Sequence, residues 1–208
     1  MTLPVVLVGG GEHARVVAEA VRSHPELFRI VGFVDPHPCA ETVERLGLPR
    51  LGAEDALAGH PEAYGLIAVG MLDPGDRRAL IAARLEGRLA GWASVAHAHS
   101  WLSPTAVLEP GAVVMAGAVV QTGASIGAHA IVNSSAVIEH DVQIGACTHV
   151  GPGVAIGGGT VIGQGCVIGL GARIRDHIRI GNAVQIGMGS VVVHDIPDGA
   201  RVKGVPAR

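Results

Sequence analysis

His140 and Asp141 are neighbours in the chain, and an imidazole beside a carboxylate is a simple device for moving a proton at neutral pH. A free imidazole titrates near about 6.5, so it can take a proton from a nucleophile and release it again. A carboxylate on the far ring nitrogen would fix the tautomer and stabilise the imidazolium. A second group lies near the N-terminus, where Gly9-Gly10-Gly11 separates an apolar run from a helical stretch. Unpaired backbone N–H groups at such a helix start attract an anion. Ala14 completes the permitted variant of a G-x-G-x-x-G pattern, and Asp35 ends the second apolar run, where a ribose hydroxyl is usually held. A structural turn or another nucleotide ligand fits these residues as well. His129, His140 and His149 fall on different phases of the repeat described below, whereas a zinc cage needs ligands converging at about 2.0–2.1 Å. No metal site is expected.

These residues must be positioned by two different kinds of element. From Leu102 to Val192 every sixth residue is Leu, Ile or Val without exception, a period that suits neither a helix nor a flat sheet. It is the hexapeptide signature of a β-solenoid. The residue four after each aliphatic is mostly small, as at Ala112, Ala118, Ala124, Thr148, Cys166 and Ser190, so large and small side chains alternate in a narrow core. Gly often follows the aliphatic, as in Ile126-Gly127 and Ile144-Gly145, and is expected to serve corners with unusual backbone angles. Three hexads then form one triangular coil. The first part of the chain reads instead as β-α-β-α-β-α, with strands at Leu3–Val8, Arg29–Asp35 and Gly65–Gly70 and helices over His13–Arg22 and Asp76–Glu86. The expected division is a small Rossmann-like domain over 1–88, a connector over 89–100 and the solenoid with its tail over 101–208. The period is lost at Ile196-Pro197-Asp198-Gly199, where a cap is needed, and the N-terminal domain is a candidate lid for the other end.

Composition narrows the function classes. Only 2% of residues are aromatic, which suits a thin aliphatic prism and argues against base-stacking platforms. A net charge of −3 without a Lys/Arg run makes nucleic acid and anionic membrane poor partners. Cys39, Cys147 and Cys166 show no pairing pattern, and neither a leader nor an apolar span of about twenty residues is visible. A reducing cytoplasm without membrane insertion is the expectation.

Four segments together carry a resemblance: Gly9-Gly10-Gly11-Glu12-His13-Ala14-Arg15-Val16-Val17, Val31-Gly32-Phe33-Val34-Asp35, Asn133-Ser134-Ser135-Ala136-Val137-Ile138-Glu139-His140-Asp141, and Gly204-Val205-Pro206-Ala207. Over nearly the whole length, the chain resembles the sialic-acid O-acetyltransferase-type hexapeptide-repeat family, which includes acetyltransferases of bacillosamine and perosamine precursors. The resemblance implies a left-handed parallel β-helix, a homotrimer with its active site between neighbouring solenoids, acetyl-CoA along that groove and a nucleotide-linked sugar on the N-terminal domain. It implies His140 as general base supported by Asp141, where relatives often carry Glu with a longer reach. Asn133, His149, Gly157, Gly169 and Gly187 fall to the acetyl-CoA side, and Gly9, Gly10, Gly11, His13 and Asp35 to the sugar nucleotide. The expected reaction is direct attack by a sugar amine, or a hydroxyl, on the thioester, within surface-glycan synthesis.

Departures from the family pattern bear on the first domain. Glu12 adds a carboxylate to the glycine loop, Pro36 follows Asp35, and Met71-Leu72-Asp73 stands where Asp or Asn followed by Asn is common. The solenoid chemistry is therefore better founded than the N-terminal ligand. His129, His177 and His194 are expected to be surface or inter-subunit residues without chemistry. The competing readings are a sialic-acid-type O-acetyltransferase, a zinc hydratase on the same solenoid, and a non-enzymatic trimeric scaffold that binds nucleotide-sugars.

Overall fold

The computed structural model describes residues 2–37 and 45–208; Cys39 lies outside them. Strand β1 (Leu3–Val8) is buried through Val5, Val6 and Leu7 and lies between β2 (Phe28–Val34) and β4 (Tyr64–Ile67) in a parallel sheet of order β3-β2-β1-β4-β5. The edge strands β3 (Arg50–Gly52) and β5 (Gly91–Trp92) complete it. Helix α1 (Glu12–Arg22) buries Ala14, Val17, Ala18 and Val21 against one side of the sheet, and α2 (Arg77–Arg84) buries Ile81 on the other. Chain order reverses between β1 and β4, which is where an open α/β sheet leaves a crevice for ligands.

The second half is a parallel β-solenoid preceded by this α/β unit. Its strands are only two residues long, and each pairs with the strand one coil later, Val119 with Val137 and Val137 with Ala155. Every in-phase aliphatic from Val114 to Val192 is buried, and the small inward positions fill the same core, Thr148, Thr160 and Ser190 included. Three sheets form a prism. Face I has seven strands from β6 (Val95–Ala96) to β23 (Arg201–Val202), face II six beginning at β7 (Trp101–Leu102), and face III five beginning at β8 (Val107–Leu108). The segment over 89–100 thus carries β5 of the first sheet and β6 of the solenoid.

Two expectations about how the coils are built need correction. The glycines that follow the aliphatics do not supply left-handed backbone; they supply the absence of a side chain. A methyl on Gly127 would lie 2.7 Å from Ala146 N of the next coil. The left-handed residue comes two positions later in each hexad from Gly111 to Gly189, usually another glycine such as Gly123 (φ 70°), but also His129, Ser135, Asp141, Cys147, His177 and Ala183. The second correction concerns the N-terminal domain, which is not a lid on the open end. It packs along face I, because the outward residues there are apolar: Val95, Val113 and Met115 share a core with β1 and α1. At the C-terminal end Ile196 still bridges to Ile180, and Val202 and Ala207 pack against the last coil of the core.

Candidate active site

The sequence-expected residues separate into three places. His140 and Asp141 sit on the edge between faces II and III, after β13 (Val137–Ile138) and before β14 (Gln143–Ile144). Their side chains are 53% and 70% exposed, and His140 Nδ1–H donates to Asp141 Oδ2 at 3.0 Å. The shorter reach of Asp relative to Glu is met by backbone geometry: Asp141 adopts φ 59°, and its carboxylate folds over Gly123 of the preceding coil. With Nδ1 holding the proton, Nε2 carries the free lone pair. That nitrogen leans over the following coil, where a methyl on Gly158 would sit 2.5 Å from it. Gly158 N–H has no hydrogen-bond partner among the described residues, whereas its neighbours Gly157 and Gly159 donate to Ile174 O and His140 O. A proton acceptor and an unpaired N–H donor, the latter on a buried glycine beneath the His140 ring, thus share one edge of the prism.

Asn133 and His149 are elsewhere. His149, on β15 (His149–Val150) of face I, donates through Nδ1–H to Met71 O at 2.9 Å and accepts from Asn133 Nδ2 at Nε2, 3.3 Å. Its ring lies 6.0 Å from that of His13. Burial lowers the pKa of His149, outweighing the Met71 hydrogen bond that raises it. Burial, then His149 and Arg78, brings His13 to about 4. All three residues lie at the seam between the α/β unit and the solenoid. Arg78, fully buried, ties this seam by donating to His129 O at 2.8 Å and to Ile67 O and Val69 O. His129, expected at the surface or between subunits, is 9% exposed within the chain, with its ring edge-on to Trp92, and burial followed by Arg78 lowers it to about 4. His129, His140 and His149 therefore point to an edge, a different edge and a face, and do not converge.

The third place is a crevice of about 500 Å3 at the switch point, lined by Gly9, Asp35, Val69, Asp76, Arg77 and Arg84 among others. Asp35 spans the loop that precedes α1: Oδ2 accepts from Gly10 N at 2.8 Å and Oδ1 from His37 N at 2.9 Å. Gly10 is pressed against Phe33, so a methyl there would strike the ring, while Gly11 faces open space. Neither Gly10, Gly11 nor His13 lines the crevice, and exposed Glu12 does not enter it. Arg77, at the start of α2, does line it and was missed by sequence reasoning. Its signal, a cation just after Asp76 at a helix start, was visible but had no partner in the pattern. Gly157, Gly169 and Gly187 have a packing role: methyls there would lie 2.5 Å from Asp176 N, 2.5 Å from Met188 N and 2.9 Å from Lys203 Cβ.

Residues 4–82 match the PglD N-terminal domain family. Among solved structures, a variant of perosamine N-acetyltransferase from Caulobacter crescentus in complex with CoA and GDP-perosamine is 32% identical, covering 99% of this chain and 95% of that one, with a TM-score of 0.88. The acetyltransferase domain of PglB from Neisseria gonorrhoeae, in complex with acetyl coenzyme A, is 33% identical over 100% of this chain and 99% of that one, with a TM-score of 0.89. WeeI from Acinetobacter baumannii shares the fold at 22% identity, with 100% and 99% coverage and a TM-score of 0.82. No curated protein matches the chain in sequence.

Proposed function

Since the chain belongs to the hexapeptide-repeat sugar acetyltransferase family, we propose that it moves the acetyl group of acetyl-CoA to an amino group on a nucleotide-linked sugar. The observation that carries this reading is the free Nε2 of His140 beside the unpaired N–H of Gly158. As the amine attacks the thioester carbonyl, its proton passes to Nε2, and Asp141 stabilises the imidazolium through Nδ1–H. The unpaired Gly158 N–H would hold the oxyanion, and the C–S bond then breaks as Nε2–H passes its proton to the leaving sulfur, which releases the thiol form of CoA and returns His140 to its neutral state. General-base assistance of this kind is worth roughly 10²–10⁴-fold, and one preorganised oxyanion donor about 10²–10³-fold.

The acceptor would occupy the crevice at Gly9, Asp35 and Arg77, with Arg77 and the start of α2 facing its phosphates. That crevice belongs to the unit covering face I, whereas His140 stands on the edge opposite face I. A sugar held by one protomer would therefore be acylated at a partner's His140. This supports the homotrimer, with the groove between solenoids as the reaction site. Surface-glycan synthesis in the cytoplasm is the setting that fits a CoA thioester and a sugar nucleotide. Asn133 and His149 are assigned to the seam rather than to direct contact with the acetyl donor, because they already hold each other and His149 also holds Met71.

Replacing His140 with Ala tests the reading. Turnover measured by thiol release should fall at least about 100-fold, while CoA binding and the oligomeric state stay as in the wild type. Turnover near the wild-type rate would remove His140 from the chemistry.

A further inference from the structure

Asp141 and His177 occupy the same edge and the same left-handed position of the hexad, two coils apart, with φ 59° and 54°. A side chain in this conformation is disfavoured relative to glycine, and Asp141 has its reason in the bond to His140. His177 makes no hydrogen bond through its side chain among the described residues, yet its ring leans back over Gly159, against which a methyl would collide with Nδ1. His140 leans forward over Gly158. Two imidazoles thus close in on one Gly158-Gly159 turn from the coil below and the coil above, with buried Gly158 and its unpaired N–H at that turn.

Resting on the acetyl-transfer reading, we propose that His177 is a donor-binding residue, hydrogen-bonded to the amide-bearing arm of the acyl thioester. The attacking nitrogen must lie between His140 Nε2 and the carbonyl carbon and approach roughly perpendicular to the thioester plane, so the sulfur and its arm lie beside the line of attack, where they can run along the edge to the following coils. Charge gives the same direction. No Lys or Arg occurs between positions 101 and 172, and the first cations of the solenoid are Arg173, Arg175 and Arg179, all exposed and flanking His177, three cations against one adjacent carboxylate, Asp176, which lies 3.9 Å from Arg175. A coenzyme whose far end carries several phosphates is drawn toward these coils. Its arm, running from His140 toward them, passes His177.

CoA binding measured by calorimetry on the intact protein tests this, with His177→Gly as the first variant. The left-handed backbone suits glycine, so its melting temperature should equal or exceed that of the wild type, whereas CoA affinity should fall by about tenfold. His177→Gln, which keeps a donor and an acceptor, should recover part of the loss, and the KM for the sugar nucleotide should not move. CoA affinity within twofold of wild type in His177→Gly would overturn the assignment while leaving the acetyltransferase reading intact. Wild-type protein that fails to bind CoA would overturn both.

Discussion

At the scale of single residues, the edge around His140 depends on what is missing as much as on what is present. Gly158 has no positive φ, so alanine suits its backbone, but the added methyl would stand 2.5 Å from His140 Nε2. Gly158→Ala should therefore cut turnover by about tenfold or more while the melting temperature holds. A variant as active as wild type would show that Nε2 does not work over this turn. Asp141 was legible in the sequence as the partner of His140, because adjacency and the family resemblance both suggested it. How adjacency becomes a hydrogen bond was not legible, since it needs the left-handed backbone of Asp141 and the space above Gly123. His149 has surroundings that the sequence did not display. The resemblance alone gives it to the acetyl-donor side, and the residue that holds its ring in the fold, Met71, lies in the other half of the chain.

At the scale of elements, the two glycine positions of the hexad do different work and should respond differently to substitution. Gly127→Ala forces a methyl into the backbone of the next coil, which a stack of hydrogen-bonded coils cannot relax, and should destabilise by about 3 kcal/mol. Ala183 already sits at φ 51°, so Ala183→Gly should stabilise by roughly 0.5–1 kcal/mol. Denaturant unfolding of both variants checks the pair, and equal signs would refute the distinction. The solenoid was readable throughout because its inward residues are fixed by a period, and Ile126 or Ile144 needs only its neighbours one coil away. The first of these roles was misread, although Gly111, Gly117 and Gly123 already marked the left-handed phase at intervals of six. In the α/β unit, β1 and α1 were visible as apolar runs, whereas the two-residue β5 takes its identity from pairing with β4 alone.

At the scale of the molecule, the seam between the halves is built on uncharged imidazoles around a buried guanidinium. His13 and His129 lie near 4 when folded and His149 is also lowered, against about 6.5 in an unfolded chain. The unfolded state therefore binds more protons between those values. The contribution is complete above pH 6.5 and is lost as pH falls toward about 4, where the dependence levels off. Thermal melts across pH 7 to 4 should show this decline, steeper than an α/β unit without the seam would give; a flat profile would mean that these rings are protonated at no cost. The eighteen-residue pairing of the coils has one more consequence. Losing or gaining a single hexad would keep the aliphatic phase yet rotate everything beyond it by a third of a turn, carrying Arg175 and His177 off the line of His140. Viable length changes between them should come only as whole circuits, so this stretch of chain behaves like a screw thread whose catalytic parts are aligned along one stripe.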